Sequence, residues 1–127
     1  MTTRHERHYT LAEARAELPW VRHQLAAMRE ARDELTDEQA HETLTDLSPT
    51  NGGGTPGRQV SEAYVALQAG IGAFDERGIV LRDLDQGLID FPAIRDGREV
   101  YLCWIDGEPD IAFWHDLDAG YAGRQPL

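Results

Sequence analysis

Apolar residues recur along this chain with two different periods, and the change near Gly78 divides the sequence. Before it the spacing is helical: Leu18, Val21, Leu25 and Met28 fall three and four residues apart, and Leu35 extends the row if Arg32 snorkels beside it. Thr10 followed by Glu13 reads as a capping box, with Tyr9 and Ala14 as a weak staple, so a helix begins at about Leu11. Pro19 interrupts it, which predicts within residues 10–47 either one kinked helix or a short helix followed by a long one. From Asp33 to Asp46 the apolar stripe weakens while acidic residues accumulate, the pattern of a solvated extension. Ser48 to Gly57, rich in glycine and proline, is a connection. A second helix is expected over residues 58–77, where Val60, Tyr64, Leu67, Ile71 and Phe74 alternate spacings of four and three. Gly70 and Gly72 each cost that helix about 1 kcal/mol relative to alanine, which predicts a backbone passing close by. Gly78 supplies its left-handed end.

Beyond Gly78 the period is two. Residues 79–116 predict a meander of three or four antiparallel strands, with Pro92 marking an edge or bulge and Asp96-Gly97 a two-residue hairpin turn. Arg98 to Asp116 is its densest aromatic and β-branched run, turning at Asp106-Gly107. Residues 1–9 form an arm and residues 117–127 an extended tail. The expected fold is a single α+β domain, a two-helix hairpin packed on one face of that meander. The tight turn gives cross-strand pairs an odd sum, so Ile89, Phe91 and Ala93 share a face with Val100, Leu102 and Trp104. Ile111, Phe113 and His115 join them if the next hairpin keeps matching parity. The opposite face then carries Leu88, Asp90, Pro92, Tyr101, Cys103, Ile105, Ala112, Trp114 and Asp116. That is too apolar for a face open to water, so the C-terminal tail, another subunit or a ligand should cover it.

Composition narrows the functional classes. A net charge of −11 repels phosphate backbones and anionic lipid surfaces, so neither nucleic acid nor a membrane is the expected partner. All 12 basic residues are arginine, scattered along the chain, a pattern of coding bias; lysine chemistry is excluded. The lone Cys103 excludes an internal disulfide and fits a reducing, cytoplasmic setting. No apolar run is long enough for a membrane span.

The runs Gly87 to Pro92 (GLIDFP), Asp96 to Trp104 (DGREVYLCW), Gly107 to Asp116 (GEPDIAFWHD) and Gly120 to Leu127 (GYAGRQPL) resemble a bacterial family known only as a domain of unknown function, number 2203. The resemblance maps that family's signature onto Asp90, Phe91, Cys103, Trp104, Glu108, Trp114, His115 and Arg124. It implies a real bacterial domain and supplies no activity.

Two functional readings follow. The leading one is a non-enzymatic interaction or assembly module, a homo-oligomer joined through Tyr101 and Trp114 on the apolar second face. The rival is a metal-binding or hydrolase-like site built from His115, Asp116, Glu108 and Asp90, with His115 and Asp116 as ligands to a divalent metal. A structural His115, capping a strand end or hydrogen-bonding the tail, is the plainer reading of that residue. His5 and His8 are further potential ligands on a mobile arm. Cys103 and His115 point to opposite faces in the register above, which disfavours a nucleophile pair. Asn51 to Thr55 lacks the lysine and the preceding strand of a phosphate loop, and Asp83 to Gly87 lacks the ligand register of a calcium loop. No small-molecule ligand is specified.

Overall fold

The computed structural model describes residues 2–35, 44 and 62–127. The Gly/Pro-rich connection at 48–57, the start of the second helix and most of the extension after Asp33 lie outside them. Helix α1 spans Leu11–Asp33 and α2 spans Glu62–Glu76. Five strands follow: β1 (Val80–Asp83), β2 (Leu88–Arg95), β3 (Arg98–Ile105), β4 (Phe113–Asp116) and β5 (Gln125–Pro126). They form one antiparallel sheet in the order β1-β2-β3-β4-β5, so the fold is α+β. No helix of the described residues is long and apolar enough to cross a membrane.

The helix start is set locally. Thr10 accepts the Glu13 N–H at 3.1 Å while the Glu13 carboxylate accepts the Thr10 N–H at 2.8 Å, so two otherwise orphaned donors are satisfied together. Pro19 lies inside a single continuous helix, which settles the two alternatives. Leu18, Val21, Leu25 and Met28 are all buried, in one cluster with Leu67, Ile71 and Phe74 of α2 and with Ile89, Phe91, Val100, Leu102 and Trp104 of the sheet. Gly70 does leave room for a neighbour, but the neighbour is a side chain rather than a backbone. A Cβ there would lie 2.5 Å from Met28 Cγ, whereas a Cβ on Gly72 would meet nothing. Gly78, at φ +69°, closes α2 with the paired bonds Ile79 N–H to Phe74 O and Gly78 N–H to Asp75 O.

The β2–β3 hairpin has the expected register, Arg95 opposite Arg98 and Ile89 opposite Trp104, and both Asp96 and Gly97 have positive φ as such a turn requires. Pro92 sits beyond the end of β1. Its carbonyl accepts the Tyr9 N–H at 2.7 Å, so the side on which proline lacks a donor is met by the N-terminal arm rather than by a strand.

Two expectations are corrected. The tail is not merely extended: after a 3₁₀ turn at Tyr121–Gly123 it adds β5 beside β4, making five strands rather than three or four. The β3–β4 pairing also has the other parity. Leu102 is opposite Trp114 and Tyr101 opposite His115, so Trp114 and Asp116 share the face of Leu102, while Phe113 and His115 share that of Tyr101 and Cys103. Residues 106–112 decide this, and α1 holds them. Arg15 donates to Ile111 O at 3.0 Å, Arg22 to Pro109 O at 3.3 Å and Arg29 to Asp106 Oδ2 at 2.6 Å. Arginines seven residues apart lie along one face of a helix, so three that read as scattered form a single row.

Candidate functional site

The corrected parity puts Asp90, Cys103 and His115 together. Asp90 lies in the middle of β2 opposite Cys103, and His115 stands beside them on β4, across β3. All three are buried, at 2%, 0% and 1% exposure, and one ligating atom from each lies within 4.8 Å of the other two. No sequence signal marks this convergence, because the three residues come from three strands whose faces depend on the β3–β4 parity.

The hydrogen bonds around His115 limit its protons. Nδ1 lies 2.7 Å from the Asp116 carbonyl, which can only accept, so Nδ1 carries a hydrogen. Nε2 lies 3.0 Å from Asp90 Oδ1, also an acceptor when ionised. A hydrogen, carried by Nε2 or by the Asp90 carboxyl, or a metal ion must therefore lie between Nε2 and Oδ1. The other oxygen, Asp90 Oδ2, takes the Arg82 Nε–H at 3.0 Å.

Cys103 is bounded on its far side by the C-terminal segment. Arg124 makes a two-pronged contact with Glu108, Nη1 to Oε1 at 3.0 Å and Nη2 to Oε2 at 2.8 Å, and Nη1 is 4.0 Å from Cys103 Sγ. Glu108 is fixed in turn by the Ile105 N–H at 2.8 Å, and its own carbonyl accepts the Trp104 indole N–H at 3.0 Å. Partial burial works against the charge on Glu108, yet the Arg124 fork and the Ile105 amide outweigh it and hold the carboxyl below its ordinary range. For Cys103 burial dominates. It pushes the thiol up to about 12, the negative charge of Asp90 adds to the shift, and Arg124 offsets part of it. In that state the thiol is no nucleophile, although Cys103 and His115 do share a face.

The N-terminal arm covers the other end of this face. Glu99 accepts the Arg4 N–H at 2.7 Å and the His5 N–H at 3.0 Å, and its Oε2 is 2.8 Å from His8 Nε2. His5 Nε2 lies 2.6 Å from the Tyr101 hydroxyl, and the Tyr101 ring leans on His115. His5 and His8 thus anchor the arm and do not join the Asp90 cluster. A cleft of about 270 Å³ remains, floored by Asp90 and His115 and walled by Arg82, Leu88, Leu117, Asp118 and Tyr121.

Of the residues expected at a site, the fold therefore gathers Asp90, Cys103 and His115, with Glu108 and Arg124 alongside. Asp116 is separated from them, on the helix side of β4 and 2.9 Å from Arg98. Its backbone carbonyl alone reaches the site. Trp114 lies on the helix side as well, with Arg95 stacked on its ring. Tyr101 and Trp114, expected at an interface between subunits, are 2% and 8% exposed in the single chain. Arg82 is the residue that sequence reasoning missed.

A family model described as "Uncharacterized conserved protein (DUF2203)" matches residues 7–127. No curated protein and no solved structure matches the chain.

Proposed function

Because the chain belongs to the DUF2203 family of uncharacterised conserved proteins, a membership that brings no activity with it, we propose a function from the site itself: a divalent transition-metal ion bound by Asp90, Cys103 and His115. The observation that carries this reading is the convergence of His115 Nε2, an Asp90 oxygen 3.0 Å away and the Cys103 sulfur, while the ring's Nδ1 is committed to a backbone carbonyl. A ligating histidine is ordinarily oriented in this way, its second nitrogen donating to a carbonyl or carboxylate. Tetrahedral ligation by N and O at about 2.0 Å each separates them by about 3.3 Å, so a small side-chain rotation admits zinc. One nitrogen, one carboxylate oxygen and one sulfur suit zinc, cobalt or ferrous iron better than calcium or magnesium.

Three protein ligands leave a fourth position, and Asp90 and His115 both face the cleft. An open position is the mark of catalytic rather than structural zinc, and the chemistry it supplies is activation of a bound water for hydrolysis. Arg82 steadies the Asp90 carboxylate, while Arg124, locked by Glu108, places positive charge beside the sulfur. The assembly reading drew its motive from the apolar second sheet face and from the apolar row on the second helix. With the N-terminal arm and the C-terminal segment lying over that face, the metal reading is better supported.

Metal content and cobalt spectroscopy test it. We expect one ion per chain after loading at pH 8, and a thiolate-to-cobalt charge-transfer band that Cys103→Ser removes. Wild-type protein that takes up neither zinc nor cobalt stoichiometrically would overturn the proposal.

A further inference from the structure

The wall of the cleft contains a guanidinium that is positioned but only partly used. Arg82 reaches Asp90 through Nε alone, and its head lies 5.0 Å from the centroid of the Tyr101 ring. Among the described residues nothing accepts from its two Nη groups. A fork held at its Nε edge and stacked on an aromatic ring has already lost much of its freedom, so binding through the Nη edge orders little more. Asp118 and Tyr121 enter the cleft from the chain following β4, whereas Arg82 enters from β1, the opposite side of the β2–β3 pair. Among the described residues the Asp118 carboxylate meets only Arg4, at 3.1 Å in an exposed contact.

We infer that the cleft over Asp90 and His115 binds a small organic acid bearing a hydroxyl or ammonium group. Its carboxylate lies on the Nη edge of Arg82 with one oxygen at the metal's open position, and its donor meets Asp118. The inference rests on the metal reading for that one coordination; the Arg82 and Asp118 contacts do not need it. A planar carboxylate matches the guanidinium fork in two parallel bonds. A phosphate dianion would face both Asp118 and a chain of net charge −11. Leu88 and Leu117 offer a short apolar wall, and about 270 Å³ is below the roughly 300–1,000 Å³ of pockets for drug-sized ligands, so the acid has a short carbon chain.

Calorimetric titration of zinc-loaded protein with lactate, alanine, propionate and inorganic phosphate tests this, with zinc content measured on every sample. Lactate or alanine should bind about tenfold or more tightly than propionate, which lacks the donor. Asp118→Asn should abolish that preference, and Arg82→Gln should weaken all the carboxylates about tenfold with zinc still at one per chain. Asp118 is exposed, so its variant decides the matter even if Arg82→Gln disturbs the fold. Three results would overturn the inference while leaving the metal reading intact: a fully zinc-loaded wild type that binds none of the four acids at millimolar concentration, tighter binding of phosphate than of the carboxylates, or an Asp118→Asn protein that keeps the preference. Failure of the wild type to hold zinc would overturn only the metal reading. The same titration on zinc-free protein then supports the Arg82 and Asp118 contacts if both variants weaken lactate binding, and overturns them if neither does.

Discussion

Metal affinity should depend steeply on pH, and the structure sets the slope. An ion entering between His115 Nε2, Asp90 and Cys103 displaces the hydrogen held between Nε2 and Oδ1, and it also displaces the thiol hydrogen of Cys103, whose value lies at about 12. A divalent charge thus replaces two protons, and the charge of the buried site is unchanged. Far below pH 12 the thiolate population of Cys103 grows tenfold per pH unit. Zinc affinity should then rise about 100-fold between pH 6 and pH 8 from loss of the thiol proton alone. Competition with a chromophoric chelator at several pH values gives the slope. Calorimetry in buffers of different ionisation enthalpy counts the protons directly. Cys103→Ser should remove about one proton from the count and weaken binding. An affinity independent of pH, or a Cys103→Ser protein with an unchanged proton count, would refute the reasoning.

Other perturbations probe the surroundings. Glu108→Ala frees Arg124 from a two-pronged contact; losing about 1.5–3 kcal/mol there should make Cys103 about 10- to 100-fold more reactive toward a thiol reagent, and an unchanged rate would mean that the segment is held by something else. Glu99 is opposed by its burial but held down to about 2 by the Arg4 and His5 amides and by His8, against an ordinary 4.5. Because its folded value is the lower one, the stability it contributes is complete above about pH 4.5 and is lost as pH falls toward 2. Glu99→Gln should remove that portion of the acid transition, on the order of 1–2 kcal/mol after screening by solvent at the exposed arm; an identical acid melting curve would sink the assignment. Gly87 has φ +66°, and a Cβ on it would lie 2.5 Å from Asp106 Cβ. Gly87→Ala should therefore destabilise the fold by about 2–3 kcal/mol in urea denaturation, and a loss indistinguishable from zero would show that the turn relaxes freely.

The parts legible in the sequence are those whose cause is local. Thr10 and Glu13 cap a helix through groups three residues apart, and Asp96-Gly97 fixes the β2–β3 register because only such a pair adopts that turn comfortably. The resemblance to the DUF2203 family was likewise readable, from four short runs of residues. The face of β4 was not, because its parity is set by residues 106–112, which are fastened by arginines nearly the length of the chain away. With His115 on the helix side, as matching parity would put it, Cys103 is set apart from it, and Asp116 and Glu108 stand beside Asp90 as its candidate partners. Pairing of the tail with β4 was equally hidden, since the dipeptide Gln125-Pro126 carries no strand pattern of its own.

The row of Arg15, Arg22 and Arg29 also bears on how this site tolerates insertions and deletions. One residue added to or removed from the stretch between Ile105 and Phe113 would turn β4 over, sending His115 into the apolar core and Trp114 outward, while every strand could still form. Two residues would restore the faces but shift the carbonyls that Arg15 and Arg22 grip by a full pleat. Among relatives, the length of this stretch should therefore be kept as strictly as the identities of Asp90, Cys103 and His115, and a chain with those three residues but a different count between the strands should lack the site.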